Sequence, residues 1–178
     1  MRFPFRFATR FAFAAVSLAV ASTAAHASDT KYFNTVSGTW AGAGTIVNGP
    51  YKNTRFTCRL AGTNEAATSM KLSGKCRVGL FSQPIEATVS KRGKGFQGAF
   101  LDGAEGKGLD ITSGKRRGGK MLLRIKRKAL TGTMVANLKN ANLLNITILV
   151  DVKGKQVPFI GLTMNREGAP KRASFDLN

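Results

Sequence analysis

One histidine, two cysteines, one tryptophan and nine acidic residues among 178 leave this chain little from which to build an active site. The single histidine, His26, lies within an expected leader, so the remainder has no Ser-His or Cys-His pair to activate a nucleophile. Two cysteines without histidine fall short of the four ligands of a structural zinc site, so no metal is expected. Asp102 and Glu105 form the one tight acidic pair. They share a glycine turn, whereas a glycosidase needs carboxylates facing each other across a cleft. The glycine stretches join strand-like runs and open no helix, which excludes phosphate-loop and dinucleotide fingerprints. No cofactor and no catalysis are expected.

Long apolar runs are also missing. The longest near the start, Phe11 to Ala21, has 11 residues, where a spanning helix needs about 20. Arg2, Arg6 and Arg10 precede it and Ala25-His26-Ala27 follows it. That is the order of a secretory signal with a small-x-small cleavage site. Residues 1–27 are therefore expected to be removed, leaving a periplasmic or secreted protein without a transmembrane segment. The remainder is long enough to bury roughly 70% of its unfolded surface in one domain. In an oxidising compartment its two cysteines, Cys58 and Cys76, are expected to pair.

What is present in quantity is positive charge and strand grammar. The stretch around the cysteines fixes a register. With Cys58 opposite Cys76, Phe56 faces Val78 and Leu60 faces Gly74, and all six positions share one side of a hairpin. Arg55, Thr57, Arg59, Lys75 and Arg77 then share the other. Residues 61–69 read as a polar connector. Before the hairpin, Trp40, Gly42, Gly44 and Ile46 share one face of a first strand, and inward glycines there imply curvature or close backbone approach. After it, alternating runs recur with turn residues between them: Ile85 to Val89, Phe96 to Phe100, Leu109 to Ile111, Met121 to Ile125 and Leu130 to Leu138. The last two are Leu143 to Val152, apolar on both faces and expected to be the most buried, and Gln156 to Met164. Residues 28–37 read as a lead-in, 28–164 as the domain and 165–178 as a loose polar tail. No helical period stands out. The fold class is all-β: a single antiparallel meander of about ten strands forming a barrel or sandwich, pinned by one disulfide.

Gly38-Thr39-Trp40 is similar to the G-x-W opening of lipocalins and related calycin barrels. The chain from residue 28 on also resembles a loose set of uncharacterised small secreted proteins of rhizobial-type alphaproteobacteria. These open with a W-x-G-x-G strand, matched by Trp40, Gly42 and Gly44. A C-R pair follows, matched by Cys58-Arg59, and then a second cysteine one hairpin later, matched by Cys76. The calycin resemblance implies a barrel in which a late basic residue, here Arg166, covers Trp40. The secreted set implies no activity.

Beyond the leader, 25 basic side chains stand against 9 acidic ones. In a meander alternate turns fall at the same end, which gathers Arg92, Lys94, Lys115, Arg116, Arg117 and Lys139 as a candidate anion site. Such an end attracts an anionic envelope glycan, a lipid headgroup or an acidic protein through long-range charge. Nucleic acid is not expected, because the aromatics alternate inward and leave no stacking platform. An alternative is a calycin-like barrel carrying a small apolar ligand, with Trp40, Phe96, Phe100, Met121 and Met134 as lining. A third is an inhibitor of a secreted hydrolase, acting through the loop 61–69. If the basic end is the site, reversing charge at Arg116 and Arg117 weakens salt-sensitive binding to anionic glycans or lipids more than any other pair of changes.

Overall fold

β-Branched and apolar residues alternating with polar ones generate ten strands, and the computed structural model, which describes residues 21–101 and 109–168, joins them into a closed barrel. The expected leader up to residue 20, the acidic turn containing Asp102 and Glu105, and the tail from 169 lie outside the described residues. The chain enters through α1 (Ala21–Val36). It then runs β1 (Gly38–Ile46), β2 (Arg55–Ala66), β3 (Ser69–Val78), β4 (Phe81–Arg92) and β5 (Gly95–Leu101). Next come β6 (Leu109–Arg117), β7 (Lys120–Arg127), β8 (Leu130–Asn140), β9 (Leu143–Val152) and β10 (Lys155–Arg166). Each strand pairs antiparallel with the next, and β1 pairs with β10 to close the ring. The fold is a barrel, not a sandwich.

The disulfide hairpin has the expected register. Cys58 stands opposite Cys76, Leu60 opposite Gly74, and Arg59 and Thr57 opposite Lys75 and Arg77 on the outer side. The Cys58–Cys76 bond joins β2 to β3. β7 shows most plainly how period-two patterning sorts the two faces. Met121, Leu123 and Ile125 are buried inside, while Lys120, Leu122, Arg124 and Lys126 face solvent.

β1 explains its own glycines. A Cβ placed on Gly42 would lie 1.9 Å from the Thr163 carbonyl oxygen, and one on Gly44 would lie 2.3 Å from Cζ of Phe56. Both positions admit only hydrogen, because the strongly coiled wall brings β10 and the Phe56 ring onto them. In β10 a bulge between Pro158 and Ile160 interrupts the pairing with β9. A proline cannot donate to the ladder, and the extra residue lets both Phe159 and Ile160 line the interior.

Four expectations need correction. Residues 28–36 are not a lead-in but part of α1, and Ser37 alone connects it to β1. Residues 61–69 are not a loop: β2 continues to Ala66 and β3 starts at Ser69. The inhibitory loop proposed there is therefore hairpin strand apart from two residues. β9 is half-buried along most of its length, with only Leu144 buried, because Ile146, Ile148 and Val150 face an internal cavity. The tail begins later than expected, since β10 runs to Arg166 and Glu167 pairs with Arg59 at 2.9 Å.

The disulfide closes a segment with a sequence separation of 18. Replacing Cys58 and Cys76 together by serine, or reducing the bond, is expected to lower unfolding stability by about 3 kcal/mol. Denaturant titrations with and without reductant measure this.

Candidate functional site

The two ends of the barrel are different in kind. At one end α1 lies across the opening and fills it. Asp29, Tyr32, Phe33 and Val36, spaced i, i+3, i+4 and i+7, form one face of the helix and are all buried. The Phe33 ring meets those of Phe96 and Tyr32 edge-on, each at 5.9 Å between centroids. Trp40, fully buried, donates from Nε1 to the Val36 carbonyl at 2.7 Å. The Arg166 guanidinium covers the Trp40 ring at 4.4 Å. It also donates to the carbonyls of Ser37 (2.5 Å), Ala141 (2.8 Å) and Thr35. Trp40 and Arg166 thus satisfy helix-end carbonyls that would otherwise be orphaned beneath the plug.

Asp29, at the middle of α1, pins the start of its buried face. Its carboxylate accepts from Arg116 Nε at 2.7 Å and from the Lys91 ammonium. Arg116 also donates to the Gly118 carbonyl at 2.7 Å and to Ser28 Oγ at 2.5 Å. Burial pushes the Asp29 carboxyl up, but the hydrogen bonds and charges of Lys91 and Arg116 outweigh it and hold the group below its ordinary value. Burial also raises the Tyr32 hydroxyl, to about 12, despite the opposing charge of Arg116.

The expected anion-site residues are placed as follows. The connectors that follow Arg92, Arg117 and Asn140 all lie at this plugged end, as loop parity implied. Arg92, Lys94, Lys115, Arg117 and Lys139 are exposed there. Arg116 differs from the others: it points inward onto Asp29, and its side chain is 11% exposed. Reversing its charge would undo the plug and says nothing about a ligand, so Arg116 leaves the candidate set.

At the opposite end the barrel is open. A cavity of about 590 Å³ runs inward from this mouth. Its lining is apolar apart from Gln83 and Arg127; Phe56, Leu72, Ile85, Ile146 and Ile148 form much of the wall, and the disulfide forms part of it. Arg127 is the last inward-facing position of β7, following Met121, Leu123 and Ile125. Of the pocket residues expected from sequence, Phe100 and Met134 line this cavity. Trp40, Phe96 and Met121 do not; they are buried in the core packed against the helix plug. A second, outer depression of about 620 Å³, bordered by Arg55, Phe56, Thr57, Arg77 and Thr163, is of mixed polarity and open to solvent.

Fold and site together define a ten-stranded up-and-down barrel, plugged by a helix at one end and open to an apolar cavity at the other. No family model and no curated relative matches the chain. Among solved structures it is similar to the S-type phycobiliprotein lyase CPES from Guillardia theta, with TM-score 0.59 and 13% identity over 80% of this chain and 94% of that one. It is also similar to Rv2717c from M. tuberculosis, with TM-score 0.54 and 10% identity over 78% and 97% of the two chains. At these identities the likeness shows the barrel fold alone.

Asp29→Asn leaves Lys91 and Arg116 without a counter-charge at side chains only 15% and 11% exposed. It is expected to destabilise the barrel by about 3 kcal/mol. Because the folded carboxyl titrates below the unfolded one, its contribution is full above about pH 4 and is lost as pH falls through the folded value. Thermal melts across that range should show an acid-sensitive component that Asp29→Asn lacks.

Proposed function

We propose that the protein is a non-catalytic binding barrel that holds a small amphiphile, its apolar body in the cavity and its polar or anionic head at Arg127 and Gln83. One observation carries this reading: an apolar cavity within the roughly 300–1,000 Å³ range of small-molecule sites, with its few polar side chains set among hydrophobic walls. Apolar surface exposed to water inside a cavity is unfavourable by about 25 cal/mol per Å², so an apolar occupant gains by displacing that water. The expected export signal and the disulfide support placing this barrel in the periplasm or outside the cell. Among the described residues no helix is long and apolar enough to cross a membrane.

The excess positive charge supports a second, separable reading. Arg92, Lys94, Lys115, Arg117 and Lys139 are exposed at the plugged end, where an anionic glycan or acidic protein would meet them without entering the barrel. Replacing Arg92 and Arg117 by glutamate tests this without touching the plug.

The cavity reading is tested with a fluorescent fatty acid titrated into the purified protein. Ala87 faces the cavity opposite Phe100 and Leu72, and Ala87→Trp should fill it and weaken binding at least about tenfold, or 1.4 kcal/mol. Arg127→Gln should weaken the fatty acid several-fold while leaving the matching alcohol unchanged. Binding untouched by Ala87→Trp would refute the cavity as the site.

A further inference from the structure

Nine large apolar side chains are exposed among the described residues, and eight of them belong to the open end. They come from every connector described at that end. Tyr51 lies between β1 and β2, Leu80 and Phe81 at the β3–β4 turn, Leu130 at β7–β8, and Val152 at β9–β10. Leu80 is 98% exposed, Phe81 84% and Tyr51 68%. The ninth, Leu122, is on the outer wall of β7. At the plugged end none of the described large apolar side chains is exposed, although the same number of connectors meets there. Scattered surface apolar residues need no explanation; a ring of them confined to one mouth does.

The same rim is cationic. Lys52, Lys128, Lys153 and Lys155 are exposed on its connectors. Asn53, Lys128 and Lys153 adopt positive φ in these turns, which keeps the connectors short. Against these cations stand Asp151, which is paired with Arg124 at 2.9 Å, and Asp110, which lies opposite Lys126 on the β6–β7 ladder. The connector 102–108 adds Asp102 and Glu105 against Lys107 by sequence. The lysines therefore remain in excess.

We propose that the open rim is a docking surface for an anionic lipid bilayer, with Tyr51, Leu80 and Phe81 entering the interface and the flanking lysines meeting lipid headgroups. Aromatic and aliphatic tips surrounded by lysine are the side chains that favour a headgroup boundary. Lysines near such a surface are attracted by its negative surface potential. A protein partner would also cover apolar groups. The lysines, however, match a uniformly negative plane, and every described rim connector presents an exposed apolar residue beside them. Docking in this pose turns the cavity mouth towards the lipid, so an amphiphile could exchange without crossing water. Tyr51 and Leu80 lie outside the cavity lining, while Phe81 borders its mouth; the rim proposal does not require the cavity to hold a ligand.

The experiment is co-sedimentation of the full chain with vesicles of phosphatidylcholine alone or mixed with phosphatidylglycerol, at low and high salt. The expected result is capture by the mixed vesicles, weakened by salt. The paired change Leu80→Asp and Phe81→Asp should reduce it at least about tenfold. These side chains are so exposed that the fold should survive, which circular dichroism checks. Lys128→Glu with Lys153→Glu should abolish the preference for anionic lipid. Ala87→Trp, which fills the cavity, should leave capture intact, so failure of the cavity reading is seen separately. Absence of capture by either vesicle would overturn the proposal. So would capture that survives the Leu80 and Phe81 changes but disappears with Arg92→Glu and Arg117→Glu. Self-association broken by Leu80→Asp without vesicle capture would instead identify a second copy as the occupant of the rim.

Discussion

A ten-stranded barrel has an interior wider than its own side chains readily fill, since about eight strands already enclose room for one small ligand. One end must be plugged if the core is to stay dry. In this chain that constraint is met by one helical face and by the contacts at its two ends. Asp29 holds one end of the face to Lys91 and Arg116, while Trp40 and Arg166 hold the other through the helix-end carbonyls. Phe33 fills the space between. The buried half of the barrel, which includes Trp40, Phe96, Met121 and Met164, packs beneath this plug. The other half, lacking any such helix among the described residues, remains a cavity.

This division explains why charge and cavity occupy opposite ends. Lys91 and Arg116 are drawn inward by a buried carboxylate, and the cations beside them surround a closed surface. The mouth, by contrast, needs no internal neutralisation. Its lysines stand on short turns whose neighbours are apolar, as a surface meeting lipid would require. The expected cleavage point after Ala27 falls just before Asp29. The face that forms the plug would therefore be kept whole in the processed chain, with Ser28 at its start beside Arg116.

The hairpin was legible in the sequence because three constraints coincided: two cysteines in bridging register, apolar residues on one face and charges on the other. A single slip would have broken all three. Strand number and order followed from the same alternation and from short connectors. The helix was not legible, because its buried face spans barely two turns and begins with a carboxylate, which a search for apolar periodicity passes over. Asp29 reads as an inward residue only once Lys91 and Arg116 are known to lie opposite it. The inward turn of Arg116 was hidden as well: a register shift between Ile111 and Ser113 turns it inward, where strict alternation from Ile111 would have put Lys115 instead.

The cavity lining was half legible. Alternation showed correctly that Trp40, Phe96, Phe100, Met121 and Met134 all point inward. It carried no information about depth, and depth separates packing from binding. Trp40, Phe96 and Met121 lie at strand positions nearest α1, so the plug covers them. Phe100 and Met134 lie nearer the mouth, where no described helix reaches. Arg127 follows from the same rule. It continues the inward series of β7 by one more step, past the depth at which the interior is filled, where it is close enough to the mouth to keep its charge solvated or paired.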